Sequence, residues 1–279
     1  MTTTDSYGER LRQRIEKHGR LCVGIDPHPE ILHQWGLPLD AAGLERCART
    51  MIEAVAGRVA VVKPQSAFFE AYGSAGVAVL ELVIADARDA GVLVLLDVKR
   101  GDIGSTMDAY TAAYLSDGSP LAADAVTLSP FLGVGSLDGA VAMAQQTGRG
   151  VYLLAATSNP EGASIQQART PEGTSISQSV IDAVGRYNQS AVAAGEWGSV
   201  GVVFGATVEA DHGLDLSRLG GSILAPGFGA QGGTAADLQQ IFGPAYPQVL
   251  PSSSRGILRA GPDTAAIRDA VEQVQQSLR

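Results

Sequence analysis

Short apolar runs rich in Val, Ile and Leu recur along the chain, and each ends in Gly or in polar residues. Runs that are nearly continuous in hydrophobicity, with no alternation, mark strands buried on both faces of a parallel sheet. Eight begin near Arg20 (RLCVGIDP), Arg58 (RVAVVKPQ), Val92 (VLVLLDVKRGD), Asp124 (DAVTLSP), Val151 (VYLLAATSNP), Ser199 (SVGVVFGAT), Ser222 (SILAPGFGAQGG) and Ser254 (SRGIL). Their starts lie roughly 33 residues apart, the length of one βα unit. Between them, Asp40 to Gly57, VAVLELVIADARDAG, TMDAYTAAYL and TAAIRDAVEQVQQSL are Ala-, Leu- and Glu-rich, and several end in Gly; they are predicted helices. Eight such units predict an α/β chain folded as one (β/α)8 TIM barrel over residues 1–279. A doubly wound open sheet is the fold alternative, but no GxGxxG follows the first run. A helix over about residues 5–18 precedes the first strand and is expected to close the barrel bottom. The Pro-, Gly-, Ser- and Thr-rich stretch after the fifth strand, about 158–178, reads as a long loop, either a cover for the site or a surface insertion.

A length of 279 residues alone would suggest two domains at roughly 150 residues each, but barrels of this kind reach that size as one. With 45% hydrophobic and 18% charged residues, the chain can bury a large core. Lysines and arginines number 20 against 29 carboxylates, a net charge of −9, which argues against a general nucleic-acid surface or docking on anionic lipid. A small anionic substrate stays open, because a few local cations can outweigh a diffuse charge. The two cysteines, Cys22 and Cys47, make neither a disulfide framework nor a zinc ligand set and read as buried thiols. The N-terminus has no apolar signal core and no stretch has the length of a membrane span, so the cytoplasm is the expected location.

In a barrel the chemistry sits where the strands end. Four ends carry charge: Asp26 after the first run, Lys63 after the second, Asp97-Val98-Lys99 followed by Asp102 after the third, and Arg255 in the eighth region. Asp97 and Lys99 are two apart on a strand and point to one side, over the barrel interior. An isolated Asp-x-Lys is more often a mouth ion pair than a catalytic one; Asp26 and Lys63 at equivalent ends reverse that balance. The turn Pro226-Gly227-Phe228-Gly229-Ala230-Gln231-Gly232-Gly233, backed by Arg255, sits where barrels commonly hold a phosphate, with backbone N–H groups and a guanidinium as donors. His18, His28, His33 and His212 lack ligand spacing, and no GxSxG occurs, so zinc and serine hydrolase chemistry lack their residues. A Schiff-base aldolase would need a neutral Lys63 or Lys99, whereas Asp97 and Asp102 favour the ammonium.

Asp97-Val98-Lys99-Arg100-Gly101-Asp102-Ile103-Gly104-Ser105-Thr106 is joined by Gly24-Ile25-Asp26-Pro27, Lys63-Pro64-Gln65-Ser66-Ala67-Phe68-Phe69-Glu70, Thr157-Ser158-Asn159-Pro160, the Gly-rich turn and Ser254-Arg255-Gly256. In this order the set resembles orotidine 5′-phosphate decarboxylase in its longer bacterial form, from about Leu21 to Arg259. Sister Mg²⁺-dependent sugar-phosphate lyases resemble the same pattern but carry Glu as metal ligand where this chain has Lys63, and an ammonium there repels a divalent cation. The resemblance implies a cofactor-free, metal-free decarboxylase of orotidine 5′-phosphate in pyrimidine biosynthesis. In it Lys63, Asp97, Lys99 and Asp102 form a charge array under C6 of the pyrimidine, with Lys99 as proton donor. Asp26 and Lys63 would bind the ribose hydroxyls, Ser158 the pyrimidine amide edge, and Gln231 and Arg255 the phosphate. Asp102, Ile103 and Thr106 would enter the neighbouring subunit's site, making a homodimer the working unit. The alternatives are a Mg²⁺-dependent sugar-phosphate decarboxylase or aldolase of the same barrel family and a nucleotide-binding barrel without turnover.

Overall fold

The computed structural model describes residues 5–209, 212–229 and 232–278. Eight parallel strands pair in sequence order and close on themselves, the first hydrogen-bonding to both the second and the eighth. They are β1 (Cys22–Ile25), β2 (Val61–Pro64), β3 (Leu93–Arg100), β4 (Ala125–Leu128), β5 (Gly150–Ala156), β6 (Gly198–Phe204), β7 (Gly221–Pro226) and β8 (Val249–Ser253). The chain is thus a single (β/α)8 barrel, as the spacing of apolar runs predicts. Nearly every strand residue is buried, because helices cover the outer face and side chains fill the inside.

Helix ends follow local chemistry. The Asp40 carboxylate accepts the Gly43 N–H at 3.0 Å and caps the helix Ala41–Val55. That helix buries Leu44, Cys47, Ala48, Met51 and Ile52 against the sheet, a stripe at helical spacing. Both cysteines are buried free thiols, and burial pushes each up to about 12.

The helix Tyr7–His18 lies under the barrel, and its Tyr7 and Leu11 join the interior layer of Cys22, Val61, Leu95, Tyr152 and Leu224. Tyr7 and Tyr152 pair their hydroxyls at 3.0 Å, and the Tyr152 hydroxyl lies 2.6 Å from Ser222 Oγ, so polar tips inside an apolar plug are satisfied. Two glycines make room for these rings. A Cβ at Gly150 would stand 2.3 Å from the Tyr7 ring, and one at Gly201 would stand 2.6 Å from that of Tyr152. The bottom is therefore sealed, and the open end is the C-terminal mouth.

One strand is not where the sequence pattern puts it. The eighth strand is Val249–Ser253, whereas the run from Ser254 is a turn leading into the short helix Arg255–Leu258, which buries Ile257 and Leu258. Pro251 hides the true strand, since a residue without an N–H normally argues against a central position. It fits because pairing with β1 involves only Ser252 and Ser253. The stretch after β5 has structure of its own: a 3-10 turn Pro160–Gly162, a helical turn Ala163–Gln166 and a bridge between Arg169 and Ser175, ahead of the helix Ile176–Tyr187.

Candidate active site

Because all eight strands are parallel, the residues that end them share one rim. At its centre the buried Asp97 carboxylate lies between two ammonium groups, with Lys63 Nζ 3.0 Å from Oδ2 and Lys99 Nζ 2.6 Å from Oδ1. The two lysines differ in setting. The Lys63 side chain is 7% exposed, while that of Lys99 is 45% exposed and faces the open mouth. Burial works against charge on Lys63, but the carboxylates of Asp97 and Asp26 outweigh it and hold the ammonium above its usual range. Burial likewise opposes ionised Asp97; Lys63, Lys99 and the Thr127 hydroxyl outweigh it and lower the carboxyl to about 2. Lys63 and Asp97 therefore stay ionised together throughout the neutral range.

The backbone at Lys99 has φ 47, the sole positive value at a non-glycine residue among the described residues. Such a conformation costs an L-residue about 1–2 kcal/mol. The ladder between β3 and β4 shifts register between Leu96 and Arg100, so the third strand is not regular where its two charged residues stand. Asp97 and Lys99 do face the same side, as the spacing of two predicts, but a local bulge rather than plain alternation delivers the second of them. Thr127 of β4 fills the gap: its Oγ1 accepts from Val98 N and Lys99 N at 3.0 Å each and donates to Asp97 Oδ1 at 2.8 Å. Gln65 braces the same group, its amide donating to the Asp97 carbonyl at 3.3 Å and its Oε1 accepting from Lys63 Nζ at 3.3 Å. Beyond the bulge, Arg100 is tied to Glu70 at 2.5 Å, and Ser66 Oγ donates to the same carboxylate at 2.6 Å.

Sequence reasoning passed over Thr127 and gave Gln65 no role. A readable signal existed for Thr127, a lone hydroxyl in an otherwise apolar strand, Ala125-Val126-Thr127-Leu128.

Asp26 ends β1 with its Oδ1 buried and without a hydrogen-bond partner, and Ser254 Oγ, just past β8, is buried and unpartnered too. Buried acceptors of this kind are uncommon and suit a site that receives donors from a ligand. Asp26 acts on Lys63 through its charge, but the two form no ion pair within 4.0 Å among the described residues.

The remaining candidates sit farther out. Ser158 is exposed, beside the end of β6, where a Cβ on Gly205 would come 3.1 Å from its N. Its loop is locked by Gln166, which accepts the Thr157 N–H at 2.9 Å and donates to Thr157 Oγ1 at 2.7 Å. Arg255 is exposed at the start of the helix that follows β8. Gln231 lies outside the described residues.

In the described part of the Gly-rich turn, Gly227, Gly229 and Gly232 have φ 102, 75 and 96, which only glycine adopts freely. The expected cradle of free turn amides is only partly present. Gly229 N donates to the Gly233 carbonyl at 2.9 Å, Gly232 N to the Gly229 carbonyl at 2.8 Å and Gly233 N to the Gly227 carbonyl at 3.4 Å. Those three amides shape the turn itself.

Asp102, expected beside Lys99, does not meet it within the chain. Its Oδ1 accepts the Ile103 N–H at 2.8 Å, and among the described residues it forms no ion pair. Ile103 is 61% exposed, and Thr106 is exposed in the first turn of the helix Gly104–Leu115.

Of the histidines, His28 packs against Phe68 with ring centroids 4.1 Å apart and the ring planes tilted by 58°, and His212 packs on Phe204 at 5.0 Å. Among the described residues no three His, Cys, Asp or Glu side chains are gathered as a metal site. No helix among them is long and apolar enough to cross a membrane.

Comparison with known proteins agrees over almost the full length. The family model described as "Orotidine 5'-phosphate decarboxylase / HUMPS family" matches residues 19–270. The orotidine 5′-phosphate decarboxylase of Salinispora arenicola is 56% identical over 275 residues, covering 99% of this chain and 98% of the relative. That of Streptomyces coelicolor is 50% identical over 277 residues, with 99% and 98% covered. Among solved structures, one from Streptomyces avermitilis superposes with a TM-score of 0.95 at 48% identity, covering 100% of this chain and 96% of the other. The OMP decarboxylase of Leishmania donovani superposes with a TM-score of 0.75 at 29% identity, with 98% of each chain covered.

Proposed function

Because the chain belongs to the orotidine 5′-phosphate decarboxylase family, we propose that it is a carbon–carbon lyase converting orotidine 5′-phosphate to uridine 5′-phosphate and CO2 in pyrimidine biosynthesis. The observation that carries this reading is the Lys63–Asp97–Lys99 array, one carboxylate between two ammoniums, with only Lys99 open to the mouth.

The chemistry follows from where charge develops. When the bond between C6 and its carboxylate breaks, CO2 leaves and the electron pair stays on C6. The Lys99 ammonium, held where that pair appears, stabilises the developing carbanion and then transfers a proton from Nζ to C6. Lys99 is left neutral and regains its proton from solvent, to which its side chain is open. Asp97, already ionised, stands beside the departing carboxylate. Like-charge repulsion raises the bound ground state and is relieved as neutral CO2 forms. Lys63 keeps Asp97 ionised and shares with Asp26 the ribose hydroxyls; the unpartnered Asp26 Oδ1 supports that assignment. Ser158 reads the pyrimidine amide edge. Arg255, with Gln231, holds the phosphate, whose binding energy closes the site far from the reacting carbon.

The working unit is a cytoplasmic homodimer in which Asp102, Ile103 and Thr106 complete the neighbouring subunit's site. Support comes from Asp102 forming no ion pair among the described residues of its own chain and from exposed apolar groups on adjoining rim segments: Ile103 after β3, and Phe131 at 73% and Leu132 at 51% after β4. In the partner's site Asp102 keeps Lys99 protonated and oriented.

A Mg²⁺-dependent sugar-phosphate lyase is disfavoured by Lys63, a buried ammonium where such an enzyme needs a carboxylate. The test is to incubate the purified protein with orotidine 5′-phosphate and follow its absorbance together with CO2 release. Stoichiometric uridine 5′-phosphate and CO2 are expected; a protein that binds uridine 5′-phosphate yet leaves the substrate intact would be a nucleotide-binding barrel instead.

A further inference from the structure

Three hydrogen bonds meet on one buried hydroxyl at the end of β4. A threonine hydroxyl has one hydrogen to donate and two lone pairs to accept with, and Thr127, with 0% of its surface exposed, uses all three. Successive amides of a regular strand point to opposite neighbours. Here the amides of Val98 and Lys99 converge on a single oxygen, which the left-handed backbone at Lys99 and the shifted β3–β4 ladder permit. Without that oxygen the bulge would leave both amides without their partner, a costly arrangement inside a protein.

The same geometry sets the direction of the remaining bond. With both lone pairs occupied by N–H donors, the hydroxyl proton has to point at Asp97 Oδ1, 2.8 Å away, the oxygen that also receives Lys99 Nζ. Lys63 holds the other oxygen, Oδ2. The carboxylate is thereby fixed at both ends, and the turn that carries Lys99 is fixed through its own amide.

We propose that Thr127 is a positioning residue of the decarboxylation: its hydroxyl stabilises the bulge that presents Lys99 to C6 and locks the Asp97 carboxylate beside it. The role rests on the decarboxylase reading. Thr127 touches neither the ribose nor the phosphate contacts assigned above, so its loss falls on the chemical step.

Thr127→Val keeps the shape and removes the hydroxyl. It is expected to lower kcat about a hundredfold, the size of effect that a small misplacement of a catalytic group produces, while affinity for uridine 5′-phosphate stays within about threefold of wild type. Thr127→Ser, which restores the hydroxyl, is expected to recover kcat to within about threefold. Should Thr127→Val fail to fold, Thr127→Cys, with a weakly hydrogen-bonding thiol in the same place, gives the same decision. A kcat close to wild type in the valine or cysteine variant overturns the proposal. So does a serine variant as slow as the valine one, which would put the role in the methyl group, or a fall in nucleotide affinity matching the fall in kcat. The wild type in the same assay separates the two claims. An inactive wild type refutes the decarboxylase reading and this role with it; an active wild type alongside a fully active Thr127→Val refutes the role of Thr127 alone.

Discussion

Replacing Asp97 by Asn removes the one negative charge that two ammonium groups share, and its cost in stability can be worked from the geometry. The Asp97 carboxyl is lowered from 3.8 to about 2 by Lys63, Lys99 and Thr127, against the opposing pull of burial. The carboxyl is buried, so the shift counts nearly in full toward stability: a difference of about 1.8 in pKa is worth about 2.4 kcal/mol. A group whose folded pKa is depressed contributes that stability above its unfolded pKa and loses it as pH falls through the folded value. At pH 7 the whole contribution is present, and at pH 3 about 1.3 kcal/mol of it is left. The stranded Lys63 ammonium sets the upper end of the same loss, since breaking a buried pair from one side costs about 3–5 kcal/mol in all in other proteins. Asp97→Asn is therefore expected to be less stable than wild type by about 2–5 kcal/mol at pH 7, with the gap narrowing by about 1 kcal/mol at pH 3. Urea unfolding of both proteins at several pH values and one fixed subunit concentration measures the gap. An Asn variant as stable as wild type at pH 7, or a gap that does not shrink in acid, would refute the claim that the ion triad holds Asp97 charged.

Arg255→Ala is expected to raise KM and also lower kcat, because a remote dianion contact both anchors the ligand and favours the closed site; added phosphite should partly restore turnover of a substrate truncated at the phosphate, and the absence of any response would contradict it. Extensive treatment with a chelator is expected to leave activity intact, whereas loss on chelation and recovery with Mg²⁺ would favour the sugar-phosphate lyase reading. Lys99→Ala and Asp102→Ala proteins, each nearly inactive, should on subunit exchange regain about a quarter of wild-type activity, because about half the dimers are mixed and half of their sites are whole under two-fold symmetry. A mixture that stays inactive despite demonstrated exchange would place Asp102 in its own chain's site.

Much of this was readable from residue order. Near-continuous apolar runs ending in charge located β1, β2 and β3 and placed Asp26, Lys63, Asp97 and Lys99 on one rim, because in a parallel barrel every strand ends on the same side. The eighth strand escaped because Pro251 breaks the run that would have revealed it, while Ile257 and Leu258 supply an apolar signal that belongs to a helix. The bulge at Lys99 escaped for a different reason. A positive φ at a lysine is held by Thr127, some thirty positions away in the chain, and no local propensity reports a tertiary hydrogen bond. The turn after β7 announced its glycines correctly, but their amides close the turn on itself, a distinction that composition does not carry. The spacing of Asp102 from Lys99 does not report which subunit's lysine it serves; in its own chain its carboxylate accepts the N–H of Ile103.

The central claim is that the exposed Lys99 ammonium supplies both the counter-charge and the proton at C6. The most direct test compares wild type with Lys99→Ala in single-turnover conversion of orotidine 5′-phosphate, alongside calorimetric binding of uridine 5′-phosphate to each. Decarboxylation by the alanine variant should fall below detection while the folded protein still binds the nucleotide, because the substitution removes charge and proton together and leaves the ribose and phosphate contacts in place. Turnover by Lys99→Ala near the wild-type rate would contradict the account.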